Sequence, residues 1–229
     1  MGLIRPALFV LSAPSGSGKT SLIKEALGRL KFLTLSLSTT TRPPRAGETE
    51  GVDYHFTDPD DFSRSIDAGE FLEWACVYGN YYGTSAKRIA EAQDRGLSVL
   101  LDIDVQGAMQ LKELPGFLAH YVFIKPPSIE ELERRLTGRG SESPETLAKR
   151  LGNAVHELTF QDQYDSVILN DDLITAEDKF LKLLIARSIN LDLARKESKE
   201  TLLSALCRQS GDLRIATLVD QILESPAPT

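Results

Sequence analysis

The stretch SAPSGSGKTS, Ser12 to Ser21, follows the apolar run ALFVLS and leads into TSLIKEALGRL, whose apolar residues recur at helical spacing. Buried strand, glycine loop and helix in direct succession is the context that the pattern G-x-x-x-x-G-K-[ST] requires. The loop's backbone N–H groups and the helix N-terminus together receive phosphate. Ala13 stands where that pattern has its first glycine. The position closes the strand, whereas Gly16 and Gly18 fall where φ turns positive or a Cβ would strike the ligand. A methyl is therefore expected to be tolerated at 13 and not at 16 or 18. In this reading residues Ala13, Pro14, Ser15, Gly16, Ser17, Gly18, Lys19, Thr20 and Ser21 cradle a nucleotide's phosphates. Lys19 reaches the β/γ oxygens and the Thr20 hydroxyl ligates Mg2+.

The remaining chain predicts an α/β fold, a parallel sheet of the P-loop NTPase type covered by helices. FLTLSLS, SVLLDID, HYVFIKP and SVILN read as further strands, and helical patterns alternate with them. SIEELERRL begins with Ser128 and carries Glu131 three residues on, the signature of a capping box. Residues 38–85 break the alternation with Pro-, Gly- and Thr-rich turns, an acidic helix stopped at Gly69, and a strand pair turning at Gly79-Asn80. They predict an inserted mixed α/β lobe, with the core at 1–37 and 86–194. The Gly/Ser-rich stretch at about 137–150 predicts a lid. A helix is expected over Ala176 to Ala194, and residues 195–229 predict a helical C-terminal extension docked on the body or on another subunit.

VLLDID places Asp102 at the carboxyl end of a buried strand, where such sheets bind ligands. A carboxylate there holds Mg2+ directly or through water. Asp104 either faces the same side, if the strand continues, or caps the next helix. Arg42 and Arg45, with Tyr hydroxyls nearby, suit a second phosphate, since guanidinium offers forked donors. A Glu among Thr and Ser hydroxyls suits a base, and guanine is the common base with adjacent N1–H and N2–H2 donors. Arg135, Arg139 and Arg150 flank the predicted lid, from which they would close over transferring phosphates.

The chain has 229 residues, 41% of them hydrophobic, enough for a sizeable core. A net charge of −7 argues against a broad nucleic-acid surface. No apolar stretch reaches the roughly 18 residues of a spanning helix, and the opening MGLIRP fits neither a secretory leader nor a myristoylation signal. Cys76 and Cys207 form no disulfide framework, which predicts free thiols in a reducing cytoplasm. Monomer and homo-oligomer both remain open.

SAPSGSGKT, STTTRPPRAGE with DYHF, EFLEWA with VYGNYYGTS, LLDIDVQG, the Arg-rich lid stretch and VILNDD, in that order, resemble the guanylate kinase family from Ser12 to about Asp172. The resemblance implies transfer of phosphate from ATP, with Mg2+, to GMP, giving ADP and GDP, with dGMP tolerance open. It implies that 38–85 is a GMP-binding lobe in which Ser38, Glu73 and Thr84 read guanine. Arg42, Arg45, Glu48, Tyr54 and Tyr82 would serve the GMP phosphate. Lys19, Arg45, Arg135, Arg139 and Arg150 would carry catalysis, and Asn170 would lie beside the adenine of ATP. Asp102 (through water to Mg2+) and Asp104 (toward GMP) match the family's acidic pair, the division of their roles staying open.

Two other readings compete. An interaction domain of the same fold typically loses the loop lysine or the phosphate-binding residues, whereas Lys19, Thr20, Arg42, Arg45, Asp102 and Arg139 are all present. A kinase for another nucleoside monophosphate fits poorly, because adenine would turn an acceptor N1 toward Glu73. The N-K-x-D base-recognition stretch of a signalling GTPase is lacking.

Overall fold

The computed structural model describes residues 2–77, 79–137, 144–209 and 211–225. Five strands, β1 (Leu8–Ser12), β2 (Leu33–Ser36), β7 (Ser98–Asp102), β8 (His120–Lys125) and β9 (Ser166–Leu169), form a wholly parallel sheet in the order β2-β7-β1-β8-β9. Phe9, Val10, Leu11, Leu100, Leu101, Val122, Phe123 and Ile124 are completely buried, as expected of strands covered on both faces. One face packs on α1 (Lys19–Arg29) and α7 (Leu173–Ser188), the other on α3 (Ala86–Asp94) and α4 (Val105–Glu113).

A second sheet lies in the segment that interrupts the alternation. Its strands are β3 (Thr39–Thr40), β4 (His55–Phe56), β5 (Phe71–Val77) and β6 (Asn80–Ser85), in the order β4-β3-β6-β5, with α2 (Pro59–Asp67) between β4 and β5. β3 pairs parallel with β4 and antiparallel with β6, so the sheet is mixed. Asp58 caps α2 by accepting from the Asp61 amide, and Gly69 follows it at φ 67, the left-handed stop its position predicts. Asn80, expected in the turn, instead opens β6 and pairs with Val77.

Two further helices, α5 (Ile129–Thr137) and α6 (Pro144–Leu158), bracket residues 138–143. Ser128 caps α5 through the Glu131 amide at 3.1 Å, but the reciprocal half of the expected capping box is missing. The Glu131 carboxylate turns to Arg134 and Arg135, whose charged donors bind it more strongly than a neutral amide does.

The expected helix from Ala176 to Ala194 is in fact two. α7 begins earlier, at Leu173, because Asp172 caps it, and ends at Ser188. Asn190 then caps a separate turn, α8 (Leu191–Ala194). Two more helices follow, α9 (Lys199–Leu206) and α10 (Leu213–Glu224). Their apolar faces, Leu202, Leu206, Ile215, Leu218, Val219 and Ile222, join the cluster built on α1 and α7. Arg214 pairs with Glu25, Glu177 and Asp178, while Arg29 reaches Asp212 at 2.7 Å. The extension thus docks on its own chain, across the far end of α1, where Leu30 and Cys207 also form a backbone bridge.

Candidate active site

The phosphate loop connects the C-terminal end of β1, the middle strand of the parallel sheet, to α1. Its positive φ values fall on Gly16 (91°) and Gly18 (89°), the two positions the sequence marks as requiring glycine. A Cβ on Gly16 would press on Leu132 and Leu136 of α5 at 3.1 Å. One on Gly18 would overlap the Asn170 amide. Ala13 packs its methyl against the core and Pro14 is buried, with a turn closed by the Ser17 amide on the Pro14 carbonyl at 3.0 Å. Ser17 is completely buried, and its hydroxyl has no partner among the described residues. Thr20 and Ser21 stand exposed in the first turn of α1.

Lys19 Nζ lies 2.5 Å from Asp102 Oδ1, with both side chains partly accessible. β7 stops at Asp102, so the two aspartates do not continue one strand: Asp104 is the N-cap of α4, accepting from the Gly107 amide at 2.9 Å. Asp104 nevertheless stays in the electrostatic neighbourhood of Glu73.

Asn170 is 3% exposed and donates from Nδ2 to the Ser17 carbonyl at 2.7 Å. Its own carbonyl accepts from Arg135 Nη2 at 3.1 Å, and Arg135 is also held by Glu131 at 2.8 Å. The pair therefore ties the loop to α5. Arg150 of α6 donates to the Ser15 hydroxyl. Arg139 lies outside the described residues.

The other half of the site is built on the mixed sheet. Arg42, 9% exposed, donates to Glu48 at 2.8 Å and lies over the Tyr54 ring, 5.2 Å from its centroid. The Glu48 contact holds the guanidinium above its ordinary basicity, so it stays charged. Glu48's second oxygen accepts from the Arg45 amide at 2.8 Å, leaving the Arg45 side chain exposed. Tyr54 and Tyr82 meet edge to face at 6.1 Å. Burial first, then the charge of Asp102, raises the Tyr54 pKa, which links this lobe electrostatically to the strand end of the core. The Ser38 carbonyl accepts from the His55 amide at 2.9 Å, at the entry to the lobe.

Glu73 sits on β5, where the register shifts between Phe71 and Glu73, and is 5% exposed. Its Oε1 accepts from the Thr84 hydroxyl of β6. Burial, with a smaller contribution from Asp104, pushes its pKa up to about 7 against the opposing Thr84 hydrogen bond. A buried carboxylate without a cation is costly, and such groups collect where a ligand completes them.

The sequence reading did not single out Glu157. It lies seven residues after Arg150 on α6, two turns on, so both side chains face the loop. Burial pushes its pKa up to about 7, while Lys19 and the Ser15 amide oppose the shift and Asp104 reinforces it. The seven-residue spacing was its only signal, indistinguishable by itself from a solvated helix face.

A family model described as Guanylate kinase matches residues 5–187. The guanylate kinase of Syntrophotalea carbinolica is 46% identical over 192 residues, covering 83% of this chain and 90% of its own. That of Aliivibrio fischeri is 49% identical over 188 residues, covering 81% and 90%. Among solved structures, the guanylate kinase of Anaplasma phagocytophilum superposes with a TM-score of 0.65 at 34% identity, covering 82% of this chain and 90% of its own. With the phosphate loop and the buried carboxylate in place and the match extending through both sheets, this chain belongs to the guanylate kinase family.

Proposed function

We propose that this enzyme transfers the γ-phosphoryl group of ATP, held by residues 13–21, to the phosphate of GMP held by the mixed-sheet lobe, giving ADP and GDP. The observation that carries the choice of base is Glu73, buried and with no cation beside it among the described residues, its carboxylate partnered by Thr84. An ionised carboxylate accepts the N1–H and N2–H2 pair of guanine, and adenine has no such pair. Ser38 would add a contact to the base, and Arg42, Arg45, Tyr54 and Tyr82 would bind the GMP phosphate. Asp104 keeps one carboxylate oxygen free of its helix cap for the GMP side.

The Thr20 hydroxyl and the Asp102 carboxylate are hard oxygen donors of the kind Mg2+ takes, and Mg2+ keeps waters and substrate phosphates as its remaining ligands. The two residues therefore fit the ion, Asp102 through water. Bound there with ATP, it would neutralise charge on the β- and γ-oxygens. The attacking oxygen belongs to an already anionic phosphate, so the protein need supply no strong base. Its residues align and neutralise: Lys19 from the loop, Arg45 from the lobe, and Arg135, Arg139 and Arg150 from the lid side. Asn170 holds the loop from beneath at Ser17, next to where adenine would lie. Closure of the lid expected at about 137–150, of which residues 138–143 lie outside the described residues, would exclude water and suppress wasteful ATP hydrolysis.

Among the described residues no helix is long and apolar enough to cross a membrane. Both cysteines are free thiols, which supports a reducing, cytoplasmic setting, and ATP and GMP are the partners we assign. The deciding experiment is a coupled ADP-release assay with ATP and each nucleoside monophosphate in turn, dGMP included. Turnover with GMP and none with AMP, CMP or UMP is expected, and turnover with AMP in place of GMP would refute the reading.

Two further results are expected. Glu73→Gln weakens GMP by about 1–3 kcal/mol, the cost of a mismatched buried polar pair, and leaves the ATP KM unchanged. Unchanged GMP affinity in a titration would remove Glu73 from the guanine site. In the wild type, GMP must meet an ionised Glu73, and that carboxyl titrates near 7 instead of near 4.5. Affinity should therefore rise with pH through about 7 as the proton is lost. Glu73→Gln, which has nothing to titrate, should flatten this part of the profile, and parallel profiles for the two enzymes would exclude the assignment.

A further inference from the structure

We infer that Gly107 and Gln110, on the core helix α4, are positioning residues that aim the guanine-reading carboxylate of Glu73, an inference that rests on the GMP-kinase reading above. α4 leaves Asp104 at its cap and presents Gly107 and Gln110 at three-residue intervals toward β5. At Gly107 the fit is steric. A Cβ built there would lie 3.0 Å from the Glu73 carboxyl carbon and would overlap its Oε2 outright. Gly107 has no positive φ that would call for glycine on backbone grounds, and an interior glycine weakens a helix. What demands glycine here is the space taken by a carboxylate from the other sheet.

At Gln110 the contact is a clamp. β5 is the edge of the mixed sheet, so its outward backbone groups have no neighbouring strand. Gln110 supplies the missing partner: Oε1 accepts from the Trp74 amide at 3.3 Å, and Nε2 donates to the Trp74 carbonyl at 2.9 Å. One side-chain amide thus substitutes for a strand at the residue directly after Glu73. The register shift between Phe71 and Glu73 sits on the other side, and such irregularities re-aim a side chain. Glu73 is therefore fixed from three directions: the bulge before it, the clamp after it, and Thr84 on its own oxygen. Gly107 keeps open the place where the carboxylate rests.

An added methyl at 107 would drive the carboxylate aside by roughly 1 Å, a displacement of the size that degrades a site built on fixed geometry. The reacting phosphates and the ATP loop lie on other elements and would be spared.

The test is steady-state kinetics on Gly107→Ala, Gln110→Ala, Glu73→Gln, Glu73→Asp and the double variant Gly107→Ala with Glu73→Asp, together with melting temperatures. Gly107→Ala should raise the GMP KM by roughly 10-fold or more. Gln110→Ala should raise it several-fold, and the ATP KM should stay within about twofold in both. Alanine favours the helix, so Gly107→Ala should melt no lower than the wild type. Aspartate at 73 withdraws the carboxylate by one methylene, so the double variant should lose less than the two single changes multiplied together. Equal losses in GMP and ATP KM, or an unchanged GMP KM in both α4 variants, would overturn the inference. Glu73→Gln separates the two levels: if it alone leaves GMP affinity unchanged, the guanine reading fails; if it weakens GMP while the α4 variants do not, only the positioning role fails.

Discussion

Replacing Lys19 with alanine is expected to lower turnover by roughly 10²–10³-fold, the usual cost of removing a preorganised charge from a developing anion. GMP affinity should survive, because the residues assigned to GMP lie on the mixed sheet and not on the loop. The fold should survive too. Lys19 pairs with Asp102 at 2.5 Å, but the two side chains keep 20% and 34% of their exposure, so losing the lysine leaves a wet carboxylate and not a stranded one. Single-turnover kinetics, GMP titration and a melting curve on the same preparation check all three points. Turnover above about a tenth of wild type would remove the loop assignment.

Deleting residues 195–229 should have the largest effect on stability. The deletion strips Leu202, Leu206, Ile215, Leu218, Val219 and Ile222, each at most 4% exposed, from the cluster they share with α1 and α7. Burial of each such side chain contributes about 1.5–3 kcal/mol, an upper figure that the ordering of the extension partly offsets. The deletion also leaves Glu25, Glu177 and Asp178 without Arg214. The melting temperature is expected to fall by about 10 °C or more, or the protein to become insoluble. Ile215→Ala tests the same packing with less damage and should cost about 2–5 kcal/mol. A truncated chain melting with the full-length protein would show the extension to be an appendage. The family model stops at residue 187, so the activity itself is not expected to need these helices.

The parts legible in the sequence are those whose cause is local. The phosphate loop is contiguous, and its glycines sit where backbone conformation alone demands them. The buried parallel strands announce themselves as short apolar runs, and Asp58 and Gly69 punctuate α2 by their own side chain or its absence. Across longer separations the residues say less. Thr84 and Glu73 meet only because β5 and β6 pair, and it was the family resemblance, not spacing, that set them together. β3 and β4, two residues each, are too short to show a period. The expected start of α7, Ala176, falls three residues late because Asp172 reads as part of the VILNDD motif and not as a cap. Nothing local in the sequence marks Gln110 or Glu157; their partners, Trp74 and the loop, are brought to them by the tertiary fold alone.

The contact between Gly18 and Asn170 has a consequence for how such a chain can change over generations. The two positions are separated by most of the core yet occupy one space, since any Cβ at 18 meets the amide that carries the loop's Ser17 carbonyl. Substitution at 18 is blocked twice, by that amide and by a φ of 89°. Trimming residue 170 relieves the first obstacle and not the second, and it also releases the Ser17 carbonyl from its only described side-chain donor. Drift at these two sites therefore has no neutral path, one step at a time. Ala13 packs its methyl against the core instead, so an alanine there meets no obstacle of this kind.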